Sequence, residues 1–340
     1  MTGRCGVAIA CAAVVACGGA EVPAGAHRAA AGDNGTPAPD DAALLRDLEA
    51  TVLEGYSQLT LGNIEAYADH VAEDVPIVFF GLGPRDRYIG PKAAAPLDVF
   101  RIDVCREVLS KNLFMHLSRD RSVAWVFDDV SCRAPDPFEG RTASIPLRLT
   151  AVYQRYLDTW TLVAQHVSYA VPPGEIVRWA ANGQLQRPAR IRTEIARSDG
   201  VRRQIASALG GLLRGSPRYV AQKLARDETS VVVGPGPLHE FYGADVAAAP
   251  PVARWFGDGA NVRPDGMYVG LARSERVAWV AVNLAVTARA GDAPVAFGLR
   301  GLYVFERRDD TPGVWQQVQA HVSVPVTREL LARRVFGAEP

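Results

Sequence analysis

The sequence predicts an α+β fold built twice: two cone-like curved antiparallel sheets, each packed against N-terminal helices and arranged as an intramolecular pseudo-dimer. Three observations point to it. A nine-residue stretch occurs in two copies, Trp160-Thr-Leu-Val-Ala-Gln-His166-Val167-Ser168 and Trp315-Gln-Gln-Val-Gln-Ala-His321-Val322-Ser323. Other landmarks recur in the same order at a spacing of 152 to 155 residues: Gly62 with Gly215, Gly81-Leu-Gly83-Pro84 with Gly234-Pro-Gly236-Pro237, Trp125 with Trp279, and Arg148 with Arg300. In each copy helical patterns come first and a strand meander follows, which places helices on one face of a curved sheet.

The chain has 340 residues, too many for one ordinary core and suited to two domains. Apolar residues make up 48% and charged residues 22%, the composition of a soluble globular protein. The formal net charge is zero, so there is no electrostatic reason to expect nucleic acid as a partner.

Residues 1–17 read as an address. Arg4 supplies a short basic region, and Cys5 to Ala16 form an apolar run. That run is shorter than the roughly 20 residues that cross a bilayer. It ends in Val14-Val15-Ala16-Cys17-Gly18, which resembles the bacterial lipobox, where the cysteine is acylated. The resemblance implies an exported lipoprotein of the bacterial envelope, anchored in a membrane through Cys17. A plain secretory signal or a chance apolar start gives the same pattern. Residues 18–40 are rich in Ala, Gly and Pro and read as a flexible tether. Cys105 and Cys132 are the cysteines left beyond the leader. Export permits one disulfide between them, but the second copy has no counterpart, and free thiols are the other reading.

Residues 41–181 form the first domain, 182–198 a linker and 199–340 the second. Asp41 is placed to cap a helix whose apolar positions Leu44, Leu48, Val52, Tyr56 and Leu59 keep a helical period. A short helix follows Gly62, then a strand near 75–80, a Gly-Pro turn and strands at about 108–117, 123–132, 145–156 and 160–170. The tails 175–181 and 328–334 are read as helices packing back.

The closing strand, with Trp160, His166 and Ser168 ended by Pro172 (Trp315, His321, Ser323 and Pro325 in the second copy), resembles the last strand of SnoaL-like domains. These belong to the nuclear transport factor 2-like superfamily, whose cone is shared with ketosteroid isomerase. The resemblance implies a cavity between sheet and helices. By strand parity Trp160, His166 and Ser168 share a face, and they are placed toward that cavity with Trp125, Trp279, His321 and Ser323 as ligand contacts. The pattern does not force this placement. Val318, Ala320, Val322 and Val324 make the opposite face apolar, so both faces are expected to be buried, one by helices and one by the other copy.

His166 and His321 are read first as structural histidines, because both copies keep them, and otherwise as ligand contacts or proton carriers. Asp129, following Trp125 and Phe127, is the candidate acid or base, with Asn283 as its counterpart. Arg148 and Arg300 are either carboxylate clamps or surface residues. No His-x-Glu, Cys-x-x-Cys or dinucleotide fingerprint occurs, so neither metal nor cofactor is expected. The favoured function is non-catalytic binding of a small apolar or carboxylated ligand by a monomer. The alternatives are an isomerase or hydratase using Asp129 and His166, or a protein-interaction scaffold.

Overall fold

Helices open each half of the chain in the computed structural model, which describes residues 39–102, 105–135, 142–193, 195–196, 199–308 and 314–337. The leader, with Cys17, lies outside the described residues, as does most of the tether. In the first half α1 (Pro39–Leu61) buries Leu48, Val52, Tyr56 and Leu59, the face set by its helical period. Asp41 lies inside α1 and pairs with Arg121. Asn63 caps α2 (Ile64–Asp69), its side chain accepting from the amide of Ala66. In the second half α4 (Gly200–Leu213), capped by Asp199, and α5 (Pro217–Lys223) take the same places.

The first sheet comprises β1 (Ile77–Phe80), β2 (Arg87–Gly90), β3 (Glu107–Ser110), β4 (Phe114–Leu117), β5 (Val123–Pro135), β6 (Thr142–Tyr156) and β7 (Thr159–Tyr169). Its order is β2-β1-β7-β6-β5-β3, with β4 also on β5. The second comprises β8 (Val231–Val233), β9 (Glu240–Tyr242), β10 (Asn261–Leu271), β11 (Val277–Ala290), β12 (Ala293–Arg307) and β13 (Trp315–Ser323), in the order β10-β11-β12-β13-β8-β9. Each sheet is mixed rather than purely antiparallel, because β1 runs parallel to β7 and β8 parallel to β13. The single strand expected at 108–117 is two. Asp128 Oδ1 accepts from the amides of Lys111 and Asn112, which draws the chain out of the ladder between β3 and β4. Cys105 and Cys132 are joined by a disulfide beside β3.

The two sheets pair face to face as a pseudo-dimer. Each half also lends its tail to the other. The amide of Val171 donates to Pro235 O and that of Val326 to Leu82 O, both at 2.8 Å. Helix α3 (Pro173–Ala181) then packs on β11 and β12, and α6 (Arg328–Phe336) on β6. The tails are helices as expected, but they cross over instead of folding back on their own half. The segment after α3 is held by both halves: Asn283 Nδ2 donates to Ala189 O, and the Ala189 amide donates to Pro84 O, each at 2.8 Å.

Candidate functional site

The repeated histidines meet each other. The His166 and His321 rings stack with centroids 4.0 Å apart, fully buried between the sheets. Each reaches the serine of the opposite strand, His166 Nε2 to Ser323 Oγ at 2.8 Å and His321 Nε2 to Ser168 Oγ at 2.7 Å. Thr150 Oγ1 holds His321 Nδ1 at 3.0 Å. Leu302 stands where Thr150 has its counterpart, so His166 Nδ1 is left buried without a partner. Burial drives both imidazoles well below their usual pKa; Arg300 and Arg148 add to the effect on His166, and His166 and Arg148 to that on His321.

The repeated arginines work in the same way across the interface. Arg148 donates to Pro235 O at 3.2 Å and to Gly236 O at 3.1 Å. Arg300 donates to Gly81 O at 3.3 Å, to Asp86 O at 2.8 Å and to Gly83 O. Each guanidinium therefore caps the Gly-x-Gly-Pro turn of the other half. Trp125 Nε1 donates to Thr229 O at 2.8 Å, and Gln319 Nε2 to Val126 O at 2.9 Å. Trp279 is buried on the corresponding face of β11.

This corrects the placement expected from parity. Trp125, His166, Ser168, Trp279, His321 and Ser323 lie on the face between the halves, and none of them lines the cone cavities described below. The reason is local. Val152 pairs with Ala164 but Tyr153 pairs with Leu162, so Val163 is an extra, bulged residue, and Val318 is its counterpart in β13. The bulge reverses the alternation, so Trp160 faces the helices while His166 faces the other sheet. Asp129 shares this outer fate. It pairs across from Arg148 near Glu240 and Tyr242 of the second half, outside the cone. Asp129 and His166 do not enter one pocket.

The carboxylate that does enter the first cone is Asp128, fully buried. Tyr56 stands beside it, with Tyr67 and Tyr153 close to Tyr56; burial raises the pKa of all three phenols, and the Asp128 carboxylate adds to the shift of Tyr56. Burial lifts Asp128 to about 6, against hydrogen bonds that pull it down. The buried Tyr56 hydroxyl interacts with it, although neither that hydroxyl nor Asp128 Oδ2 completes a hydrogen bond of ordinary geometry. The Tyr67 hydroxyl donates to Gln165 Oε1 at 2.6 Å. A space of about 30 Å³ lies beside Gln165, lined by neither Asp128 nor the three tyrosines and closed by Val326 and Leu331 from the second half. That suffices for a water or two.

The second cone is the apolar version of the first. The parallel bridges Val71–Leu162 and Leu224–Gln317 fix the helix register at a spacing of 153, which sets Val220, one residue beyond Tyr219, opposite Tyr67. Tyr56, Asp128, Tyr153 and Gln165 are matched by Leu209, Val282, Phe305 and Ala320. In their place a cavity of about 80 Å³ opens between α4, α5, the loop 249–255 and the sheet. Leu213, Val220, Val252, Ala320 and Val322 make its walls apolar. Two lining residues, Tyr303 and Trp255, carry a buried hydroxyl and a buried indole N–H with no hydrogen-bond partner. Among the described residues no group of three His, Cys, Asp or Glu side chains is placed to hold a metal ion.

No family model matches the sequence, and no curated protein matches it. Solved structures do. A nuclear transport factor 2-like superfamily protein from Salmonella enterica is 14% identical, with 38% of this chain and 93% of that one covered and a TM-score of 0.31. A protein with a cystatin-like fold from Caulobacter vibrioides is 16% identical over 39% of this chain and 91% of its own, with a TM-score of 0.30. The CaMKII hub of S. rosetta is 14% identical over 39% of this chain and 99% of its own, with a TM-score of 0.30. Each match spans well under half of this chain and nearly the whole of the other.

Proposed function

We propose that the protein binds a small, largely apolar molecule in the second cone. The observation behind this reading is the apolar cavity with the unpartnered Tyr303 hydroxyl on its wall. A buried polar group without a partner costs roughly 1–3 kcal/mol, and a ligand acceptor would recover it. No cationic side chain lines the cavity. A buried carboxylate would have no counter-charge there, so a neutral acceptor such as a carbonyl is favoured over a carboxylate. The size limits the ligand to a few heavy atoms unless the loop 249–255 moves outward.

Native mass spectrometry and a titration with a small cyclic ketone test this reading. The expected result is a bound species that is lost in Ala320→Leu, which fills the cavity, and about tenfold weaker in Tyr303→Phe. Equal binding by Ala320→Leu overturns it.

A second reading, an isomerase or hydratase, is favoured by Asp128 standing beside Tyr56 in the first cone. It replaces Asp129 and His166, which lie elsewhere, as the proton carrier. It predicts exchange of the ketone's α-protons in D₂O that Asp128→Asn removes. The first reading expects no such exchange, and expects binding to survive Asp128→Asn. The proposal retains acylation at Cys17 as the route to an envelope membrane. Incorporation of labelled palmitate that persists in Cys17→Ser would end that part.

A further inference from the structure

The helices of the two halves carry opposite charge, although the chain as a whole is neutral. Residues 39–74 hold nine acidic residues against Arg46 alone. Residues 199–227 hold Arg202, Arg203, Arg214, Arg218, Lys223 and Arg226 against Asp199 and Asp227, the latter paired with Arg308. Asp199 is already engaged, capping α4 and pairing with Arg202.

Within the basic pair of helices lies a cleft of about 480 Å³. The cleft is open to solvent along one side. One face of α4 supplies Gly200, Arg203, Gln204 and Ser207, at helical spacing. Helix α5 supplies Tyr219 and Lys223, and buried Trp315 also lines it. Tyr219 is seated by a specific device: a Cβ at Gly211 would stand 2.1 Å from its ring. Lys223 is half-buried, and among the described residues no hydrogen bond or ion pair is recorded for its ammonium group.

The first half acts as an internal control. At the register of 153, Arg203, Ser207, Tyr219 and Lys223 are matched by Ala50, Glu54, Ala66 and His70. Trp160 matches Trp315, so the tryptophan belongs to the framework and the cations and the tyrosine do not.

We infer that the α4–α5 cleft is a binding site for a small organic anion, a phosphate or carboxylate group on a flat apolar body. Arg203 and Lys223 meet the anionic group, and Tyr219 with Trp315 takes the body. The site lies outside the cone and does not depend on the reading given for it.

Calorimetric titration of the intact protein at low ionic strength tests the inference, with phenyl phosphate, benzoate and inorganic phosphate as probes. Phenyl phosphate or benzoate should bind saturably, and the tighter of the two assigns the anionic group. Arg203→Gln and Lys223→Gln should each weaken binding about tenfold. Tyr219→Ala should weaken phenyl phosphate and leave inorganic phosphate unchanged. Ala320→Leu, in the cone, should change nothing. Arg203 is exposed, so its variant will fold, and undiminished binding by Arg203→Gln overturns the proposal. So does the absence of saturable binding at millimolar probe.

Discussion

Replacing Arg300 by alanine lowers the unfolding free energy by about 3–5 kcal/mol, because it leaves buried carbonyls without a donor at about 1–3 kcal/mol each. The side chain is 1% exposed and donates to three carbonyls of the turn in the other half. Burial lowers its pKa to about 10, so it remains charged near neutrality. Its loss strands those carbonyls in a dry interface and leaves a void beside Phe80, whose ring lies 5.4 Å from the guanidinium carbon. Arg300→Lys should recover only part of the loss, because one ammonium cannot span three carbonyls. Urea unfolding measures it. A loss below about 1 kcal/mol would show that water replaces the guanidinium and that this contact does not hold the halves together.

Acid should destabilise the protein through its buried histidines, and His321→Gln should make the dependence shallower. His166 and His321 have folded pKa values well below the unfolded one, and burial brings His116 to about 3. The native state therefore binds fewer protons than the unfolded chain. Stability is full above pH 6.5 and falls as the pH drops below it, by about 1.4 kcal/mol per pH unit for each histidine. Asp128 acts in the opposite direction. Its folded pKa of about 6 means that the native state takes up a proton earlier than the unfolded chain, which adds stability as the pH falls through 6. Asp129, Glu240 and Glu306, also raised by burial, act in the same sense as Asp128. These groups are common to both proteins, so the comparison isolates one histidine. His321→Gln should be less stable at pH 7.5, having lost the bonds to Ser168 and Thr150, but its stability should fall less steeply between pH 6 and 5, by about 1.4 kcal/mol per unit. Parallel curves would mean that His321 does not stay neutral in the interface.

Much of this protein was legible in its residues. The repeated stretch ending in His166 and His321, with matched Trp125 and Trp279, identified a duplicated framework. The helix period through Leu48, Val52 and Tyr56 placed the first helix face. The apolar alternation around Ala320 and Val322 indicated that both faces of the closing strand are covered. The repeated Arg148 and Arg300 could have been assigned to the framework on the same grounds as the histidines.

What the sequence could not decide was which face looks inward. Asp128 and Asp129 are neighbours, and in a strand neighbours point to opposite sides. One enters the cone and the other meets the second half. A signal did exist: Asp128 aligns with apolar Val282, whereas Asp129 aligns with polar Asn283, so the chemical difference between the copies sits at Asp128. The bulges at Val163 and Val318 left no comparable trace. A bulge is a register relation between two strands, and it reverses the facing of every residue beyond it without changing any residue. Composition and spacing along the chain therefore determined the duplicated framework. The pairing of one strand with another, and of one sheet with the other, decided which side chains meet a ligand and which meet each other.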